Sequence, residues 1–258
     1  MTAIVEAPFR QARNSAAFWA ATGRSRGHEV IAGSGFLAVA GDQRAGLRVL
    51  IQDPAVAVDQ IGDLVRGAPG PINIEDPFGT SDLTHLDLRH WQMPVMLRDP
   101  APVAHPAMEV VRVHGGAATP DGAPVPGGAS VPGGADLRAA ERAVIAGFEM
   151  SRFEPYRAGE VFPAALLEEP GVDVFVARLD GVVAGACVTV VDAGIGSHYW
   201  VATPPEFRSR GVGRALMLGS LAHLAGIPVT LTASKLGRPL YESLGFTAVA
   251  MSTWWASR

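Results

Sequence analysis

The chain has 258 residues, of which 48% are hydrophobic and 18% are charged, and its formal net charge is −4. This composition can build a packed core and excludes a wholly disordered chain, and the length suits one large domain or two smaller ones. The longest uncharged apolar run, Val182–Val191, is ten residues long, whereas a membrane-spanning helix needs about 20. The single cysteine, Cys187, excludes an internal disulfide and a cysteine-based zinc site.

The charge distribution and the N-terminal segment give expectations about the localisation and the binding partners of the protein. Residues 1–18 contain no apolar signal-peptide core, so we expect a cytoplasmic protein without a membrane partner. A division at 107/108 leaves 9 basic and 11 acidic residues before it and 12 basic and 14 acidic residues after it. Neither half has the basic excess that is typical of nucleic-acid binding. The histidines show no metal-ligand spacing, so we expect no bound metal. For the oligomeric state, we expect a monomer or a homodimer.

The first half, residues 1–107, shows mixed helix and strand patterns. Helical spacing occurs at 16–21 and 56–66, and extended segments are predicted at Gly35–Ala40, Leu47–Ile51, Ile72–Ile74 and Met93–Leu97. No glycine-rich phosphate loop interrupts these segments. We therefore expect a smaller α+β domain at 1–107.

Two segments rich in proline and glycine divide the chain. Asp99–Ala107 has three prolines in nine residues, as expected of a linker. Gly115–Ala135 has seven glycines and four prolines in 21 residues and contains VPGGA twice. It follows a predicted strand, Glu109–Val113, so we interpret it as a flexible insertion within a second domain at 108–258.

The second half has a clear element order, β-α-α-β-β-β-α-β-α-β. Asp136 is a candidate N-cap for its first helix. Asp180-Gly181 predicts a tight turn between two strands. The remaining predicted segments are a short helix at Phe162–Leu167, strands at Val172–Leu179, Val182–Val191, His198–Ala202, Pro228–Thr232 and Thr247–Trp255, and helices at Gly211–Ala225 and Leu236–Leu244.

The segment Arg208–Ala215, RSRGVGRA, lies at a predicted strand-to-helix junction. Its two glycines allow the backbone to approach a ligand closely, and a helix N-terminus presents N–H groups and a positive dipole. Three arginines add fixed positive charge. This combination predicts an anion site suited to a diphosphate.

This segment and a second one resemble the GNAT superfamily of N-acetyltransferases. The family signature [QR]-x-x-G-x-[GA] is matched by Arg208, Gly211 and Gly213. The downstream family pattern N-x-x-A-x-x-L-Y-x-x-x-G-F is matched at its Leu, Tyr, Gly and Phe positions by the segment 234–246, with Ser234 and Gly237 in place of the family Asn and Ala. The resemblance covers about residues 108–258. It implies a GNAT-like mixed β-sheet flanked by helices, and residues 1–107 could be a degenerate second copy or an unrelated cap.

The resemblance also implies the position of an acyl-coenzyme A co-substrate, with acetyl-CoA as the expected donor. The loop would bind the pyrophosphate through its backbone amides, and β-strand residues would pair with the pantetheine arm as an added strand does. Ser234 would make one of the hydrogen bonds of the family Asn. The implied cofactor-binding residues are Trp200, Val201, Ala202, Arg208, Ser209, Arg210, Gly211, Val212, Gly213, Arg214 and Ser234.

Two residues are candidates for proton transfer. By position in the motif, Tyr241 would be the general acid that protonates the departing thiolate, since a phenol with a pKa of about 10 is protonated at neutral pH. His198, on the strand before the loop, is the candidate general base, with an ordinary imidazole pKa of about 6.5. Strand alternation would place His198 and Trp200 on one face. Cys187 lies within an apolar strand and is interpreted as a core residue.

These patterns favour an N-acyltransferase in which an amine of a small molecule or peptide attacks the thioester directly. One alternative takes the acyl group from aminoacyl-tRNA on the same scaffold; the near-neutral halves weigh against it, although a local arginine patch is compatible with a neutral total. The other alternative is a non-catalytic CoA-binding regulatory module, which the presence of Tyr241 disfavours.

Overall fold

The structure is a computed structural model that describes residues 3–114 and 133–257. The described helices are α1 (Ala3–Ser25), α2 (Val58–Gly67), α3 (Gly133–Gly147), α4 (Val212–His223) and α5 (Arg238–Ser243). The described strands are β1 (Glu29–Gly33), β2 (Phe36–Ala40), β3 (Leu47–Ile51), β4 (Ile72–Asp76), β5 (Arg89–Arg98), β6 (Glu109–Val113), β7 (Val172–Leu179), β8 (Val182–Asp192), β9 (Ile195–Ala202), β10 (Val229–Thr232) and β11 (Thr247–Ala256). The expected α+β class is confirmed.

The chain forms two compact units that do not follow its linear order. The first unit contains Met1–Pro102, Val190–His198 and Leu224–Arg258. The second contains Val103–Thr189 and Tyr199–His223. The C-terminal segment joins the first unit because β11 pairs with both β4 and β5. The compact units therefore differ from the division at 107/108 that composition predicts.

The sheet of the first unit is mixed, with the strand order β1-β2-β3-β4-β11-β5-β10. Strands β2 and β3 form the predicted hairpin, and β3 runs parallel to β4 across the helix α2. Strand β11 is antiparallel to β4 and to β5. The core of this unit contains Phe36, Ala38, Leu47, Val49, Ile51, Ile61, Ile74, Leu83 and Trp255.

The second unit contains β6, β7, residues 182–189 of β8 and the end of β9, with β6 antiparallel to β7. The turn between β7 and β8 has positive φ at both Asp180 (53°) and Gly181 (79°), as a type I′ hairpin turn requires. The core of this unit contains Phe175, Ala177, Ala184, Cys187, Val212 and Leu216.

Several elements differ from the sequence prediction. Helix α1 begins at Ala3, 13 residues before the predicted helix at 16–21. Its buried face includes the polar residues Gln11, Asn14 and Ser15, which interrupt the apolar periodicity. Strand β1 is additional, and the predicted helix at Phe162–Leu167 is a 3₁₀ segment at Ala164–Glu168.

The prediction that Asp136 is the N-cap of helix α3 is also wrong. Helix α3 begins at Gly133, so Asp136 lies in its first turn and pairs with Arg178. The expected flexible insertion at 115–135 lies outside the described residues for 115–132, and its last three residues belong to α3.

Candidate functional site

The predicted phosphate loop lies in the second unit, between the end of β9 and the start of α4. A 3₁₀ turn at Pro205–Phe207 leads to Ser209 and Gly211, whose φ values of 59° and 82° are left-handed. These two residues turn the chain sharply before α4 begins. The Ala215 amide donates to the Gly211 carbonyl at 3.0 Å, which closes the first turn of the helix. The loop therefore ends at a helix N-terminus, where backbone N–H groups favour an anion.

A glycine within β8 allows α4 to start close to the sheet. A Cβ at Gly185 would lie 2.8 Å from Val212 Cγ1 and 2.9 Å from the Ala202 carbonyl oxygen. Val212 is buried in the core of the second unit, so its side chain anchors the helix. Gly185 was not singled out from the sequence, although a glycine inside an apolar strand is a recognised sign of close backbone approach.

Two loop arginines have different surroundings. Arg208 donates from Nε to the Thr203 carbonyl at 3.2 Å and from Nη2 to the Gly147 carbonyl at 3.1 Å. The Arg210 guanidinium lies 3.5 Å from the Asp180 carboxylate, and both side chains are largely exposed. Arg208 is therefore bound to the protein backbone, whereas Arg210 makes only a solvent-screened ion pair.

Strand β9 has an irregularity at its predicted pantetheine-binding segment. Trp200 has φ of 49°, which a bulky residue rarely adopts, and its ring packs against Phe162 with the ring centroids 5.2 Å apart. The pairing of β9 with β10 ends at Ser197, before this point. Because Trp200 has a left-handed φ, the alternation of side chains along a regular strand is interrupted at this residue. Strand alternation therefore does not support the expectation that Trp200 and His198 share a face. The backbone thus departs from regular strand geometry at Trp200, the first residue of the segment where a peptide-like ligand would pair.

Ser234 and Tyr241 lie in the first unit, around the start of α5. The Ser234 hydroxyl accepts a hydrogen bond from the Gly237 amide at 3.1 Å, and its carbonyl accepts from the Arg238 amide at 3.0 Å. The serine thus stabilises the turn that begins α5, while its hydroxyl hydrogen remains available for donation. Tyr241 is 8% exposed and packs edge-on against Phe246.

Gly237 explains one departure from the family motif. A Cβ at this position would lie 2.9 Å from Tyr241 Cε2 and 3.3 Å from the Tyr241 hydroxyl oxygen. The alanine of the family pattern would displace the ring in this arrangement. Glycine therefore sets the position of the candidate general acid.

His198 is buried in the first unit, with 4% of its surface exposed. Burial lowers the pKa of its imidazole to about 3, because the charged form loses solvation. At neutral pH the ring is neutral and weakly basic. This environment weighs against the predicted general base, whose pKa would ideally lie near the working pH.

The second unit also contains a cavity of about 580 Å³ at the C-terminal end of α3. Its volume is within the range of small-molecule sites. The lining combines an apolar floor with charged and aromatic side chains: Arg142, Ile145, Ala146, Glu149, Met150, Ser151, Glu154 and Tyr156.

A buried carboxylate holds the loop beside this cavity. Glu141 is 0% exposed and accepts hydrogen bonds from the Tyr156 hydroxyl (2.7 Å) and from the amides of Gly159, Val161 and Phe162 (2.9, 2.6 and 3.1 Å). Burial and the neighbouring carboxylate raise the pKa of Tyr156 to about 12, so it stays protonated as the donor. Sequence reasoning missed Glu141, because nothing in the local pattern reveals donors 15 to 21 residues away.

The structure distributes the predicted site residues between the two units. The loop Arg208–Arg214, the strand Trp200–Ala202 and the cavity belong to the second unit, and His198, Ser234 and Tyr241 belong to the first. Within residues 3–114 and 133–257, no group of three or more His, Cys, Asp or Glu side chains could hold a metal ion. In the same residues, no helix combines the length and apolarity needed to cross a bilayer.

Comparison with known proteins relates this geometry to a family. Residues 170–248 match the family model described as an acetyltransferase (GNAT) domain, a shorter range than the resemblance predicted at 108–258. No curated protein sequence matches the chain.

Solved structures match over nearly the whole chain. A GCN5-related N-acetyltransferase from Kribbella flavida aligns with a TM-score of 0.58 and 14% identity, covering 96% of this chain and 95% of that one. A GNAT-family protein from Novosphingobium aromaticivorans aligns with a TM-score of 0.57 and 18% identity, covering 88% and 89%. At these identities the likeness establishes the fold, and the expected GNAT-like mixed sheet flanked by helices is confirmed. Residues 170–248 are thus similar in sequence to a GNAT acetyltransferase domain, and the chain as a whole has the fold of the solved GNAT structures.

Proposed function

We propose that the protein is an acyl-CoA-dependent N-acyltransferase, with acetyl-CoA as the expected donor. The observation that carries this proposal is the turn formed by Ser209 and Gly211 before α4, because left-handed backbone followed by a helix N-terminus suits a pyrophosphate. The amides of Ser209–Arg214 would bind the phosphates. Arg210 and Arg214 are exposed and supply positive charge near them.

The pantetheine arm would lie along β9. Its amides resemble a peptide, and a strand edge offers unpaired donors and acceptors to such a ligand. The pairing of β9 with β10 covers only Gly196–Val229 and Ser197–Thr230. The Trp200–Ala202 backbone would then hydrogen-bond the arm, and the Ser234 hydroxyl would donate to it.

In the proposed reaction, the acceptor amine attacks the thioester carbonyl carbon and forms the C–N bond as the C–S bond breaks. Tyr241 would donate its phenolic proton to the departing CoA thiolate, and the nitrogen would lose a proton to a base or to water. A covalent acyl-cysteine is not part of this scheme. Cys187 is buried, and desolvation raises the pKa of its thiol to about 12, so it holds no nucleophilic thiolate at neutral pH.

His198 is the sequence-based candidate for the base, but its pKa of about 3 supports it poorly. A water held at β9 is the other candidate. The two candidate bases make different predictions. A titrating side chain would make kcat depend on pH around its own pKa, and a bound water would not.

The acceptor would enter the cavity at the end of α3. Glu149 and Glu154 place carboxylates on its lining, and Ile145, Ala146 and Met150 provide apolar contact. This lining suits the amine of a small molecule or a peptide N-terminus. The Arg142 guanidinium carbon lies 4.5 Å from the centroid of the Tyr156 ring, in a cation–π contact that keeps the positive charge beside this ring.

For the domains, we propose that 108–258 is the acyltransferase domain and 1–107 a degenerate copy. The support is topological. Both halves contain a parallel strand–helix–strand crossover, β3–α2–β4 and β9–α4–β10. The last strand of each half, β5 and β11, pairs antiparallel with the other, with Trp254 opposite Trp91 in that register.

The test is direct. Calorimetry with CoA should show binding, and a thiol-release assay with acetyl-CoA and a panel of primary amines should show turnover. A folded protein that binds no CoA would overturn the proposal. Binding without turnover on any amine would favour the regulatory module instead.

A further inference from the structure

Arg208 occupies the first position of the GNAT signature, yet its side chain is directed to the protein. Nε donates to the Thr203 carbonyl at 3.2 Å and Nη2 to the Gly147 carbonyl at 3.1 Å. Thr203 directly follows β9, and Gly147 is the last residue of α3. The guanidinium therefore joins the strand-to-loop connection to the end of a helix 61 residues earlier in the chain.

The end of α3 needs such a donor. Glu149 adopts a left-handed φ of 53°, its amide donates to the Ala146 carbonyl, and the Met150 amide donates to the Ile145 carbonyl. This is the pattern of a Schellman C-cap, with glutamate where glycine is favoured. Carbonyls in the last turn lack helical partners, and a cation there is favoured by the helix dipole. Arg208 supplies both the hydrogen bond and the charge.

The same end of α3 forms the wall of the cavity. Ile145, Ala146, Glu149 and Met150 all line it. Glu149 Oε1 lies 3.9 Å from Arg208 Nη2, a weak contact because the glutamate is 77% exposed. Arg208 thus links the phosphate loop on one side to the cavity wall on the other.

We propose that Arg208 is a positioning residue that couples the phosphate loop to the cavity wall, and that it is not a phosphate ligand. The inference rests on the proposed function for the meaning of the loop and the cavity. The signature itself accepts Gln or Arg at this position. These residues share N–H donors but not a charge, which suits a bond to the Gly147 carbonyl better than an ion pair with phosphate.

The consequence is coupling between two binding sites. Ordering of the loop by CoA would hold Arg208 and, through the Gly147 carbonyl, the C-cap of α3. The cavity would then reach its final shape when the loop is occupied. The coupling is reciprocal, as linkage requires.

The test compares Arg208→Gln, Arg208→Met and Arg210→Met. Each is checked for folding by circular dichroism, then CoA affinity is measured by calorimetry at two ionic strengths. Hydrogen exchange is followed at Phe148, Glu149 and Met150. We expect R208Q to stay within about threefold of wild-type affinity and R208M to lose about tenfold, which is about 1.4 kcal/mol. R208M should exchange faster at the end of α3, and R208Q should not.

Arg210→Met is the matched control for charge. It should weaken CoA binding and reduce its salt sensitivity, while hydrogen exchange at the end of α3 stays at the wild-type rate. Equal losses of affinity in R208Q and R208M, with wild-type exchange in both, would overturn the proposal and make Arg208 a phosphate ligand. If wild-type protein bound no CoA, the proposed function would fail, but faster exchange in R208M would still support the link between Arg208 and α3.

Discussion

The two parallel crossovers, β3–α2–β4 and β9–α4–β10, share a topology and differ in the connection before the helix. The segment 52–57 of the first crossover has no residue with positive φ, and its Asp53 carboxylate accepts from the Ala55 amide at 2.8 Å. The second crossover has left-handed Ser209 and Gly211 and three arginines. The first connection thus presents an acid where the second presents positive charge.

The two crossovers also differ in how far their parallel strands pair with each other. Strands β3 and β4 pair over four residue pairs, from Leu47–Ile72 to Leu50–Glu75. Strands β9 and β10 pair over two. A fully paired crossover has no backbone donors to offer a pantetheine arm, so a few local residues separate a structural crossover from a candidate binding site.

Removal of the candidate general acid should have the largest effect on activity. The three tyrosines, Tyr156, Tyr199 and Tyr241, all lie in the C-terminal half, so the first half has no tyrosine that could take this role. Tyr241→Phe keeps the ring and removes the hydroxyl. We expect kcat to fall by about 10²–10⁴-fold with CoA affinity nearly unchanged. The loss should shrink with an acyl donor whose thiol is more acidic, since that thiolate leaves without help. Full kcat under rate-limiting chemistry would remove Tyr241 from the mechanism.

Two buried carboxylates, one in each half, provide a stability comparison. Glu141 accepts four hydrogen bonds, and Glu141→Gln leaves one acceptor oxygen for them, so we expect a loss of about 3–5 kcal/mol. Glu75 accepts from Ser15 at 2.8 Å and from Gln11 at 3.4 Å. Glu75→Gln keeps an oxygen for those donors, and at pH 4 its stability should stay within about 1 kcal/mol of wild type.

The pH dependence sharpens this test. Burial raises the pKa of Glu75 above its usual value, so wild-type protein loses stability as pH rises through the folded-state pKa. Glu75→Gln lacks that loss. Its stability relative to wild type should therefore increase between pH 4 and pH 7.5, measured as urea midpoints. A difference that does not change with pH would show that Glu75 titrates normally.

Gly211 tests the phosphate loop itself. Gly211→Val places a β-branched residue at a φ of 82°, which disfavours the turn and obstructs close approach to the backbone. We expect the Kd of CoA to rise at least about tenfold, near 1.4 kcal/mol, by calorimetry. Ala55→Val, in the equivalent connection of the first crossover, is the control and should leave the Kd unchanged. Unchanged affinity in a folded G211V protein would remove the loop from the binding site.

Gly237→Ala should give the smallest effect. The added Cβ would lie 2.9 Å from Tyr241 Cε2 and push the ring. We expect kcat to fall by about tenfold or less and stability by about 1 kcal/mol. Gly67→Ala is a suitable control because a Cβ there meets nothing within 4 Å. An unaffected kcat in G237A would mean that the tyrosine ring tolerates displacement.

Local patterns predicted most of the C-terminal half. The Asp180-Gly181 turn, β7, β8, α4, α5 and β11 all appear near their predicted positions. These elements depend on neighbouring residues, namely turn residues with positive φ, strand alternation and glycine or proline at helix ends. Helix α1 was predicted short because Gln11, Asn14 and Ser15 on its buried face meet partners distant in the chain.

By itself, the sequence determined the GNAT motif, the order of elements in the second half and the strand-to-helix loop, because each depends on residues close together in the chain. Tertiary structure alone decided the place of β11 between β4 and β5, the burial of His198, and the bonds of Glu141 and Arg208. The bonds of Glu141 span 15 to 21 residues, the Arg208 bond to Gly147 spans 61, and the Ser252 hydroxyl of β11 donates to the carbonyl of Asp76, 176 residues away. Hydrogen bonds over such separations leave no local pattern, since any suitably placed backbone amide or carbonyl can be the partner.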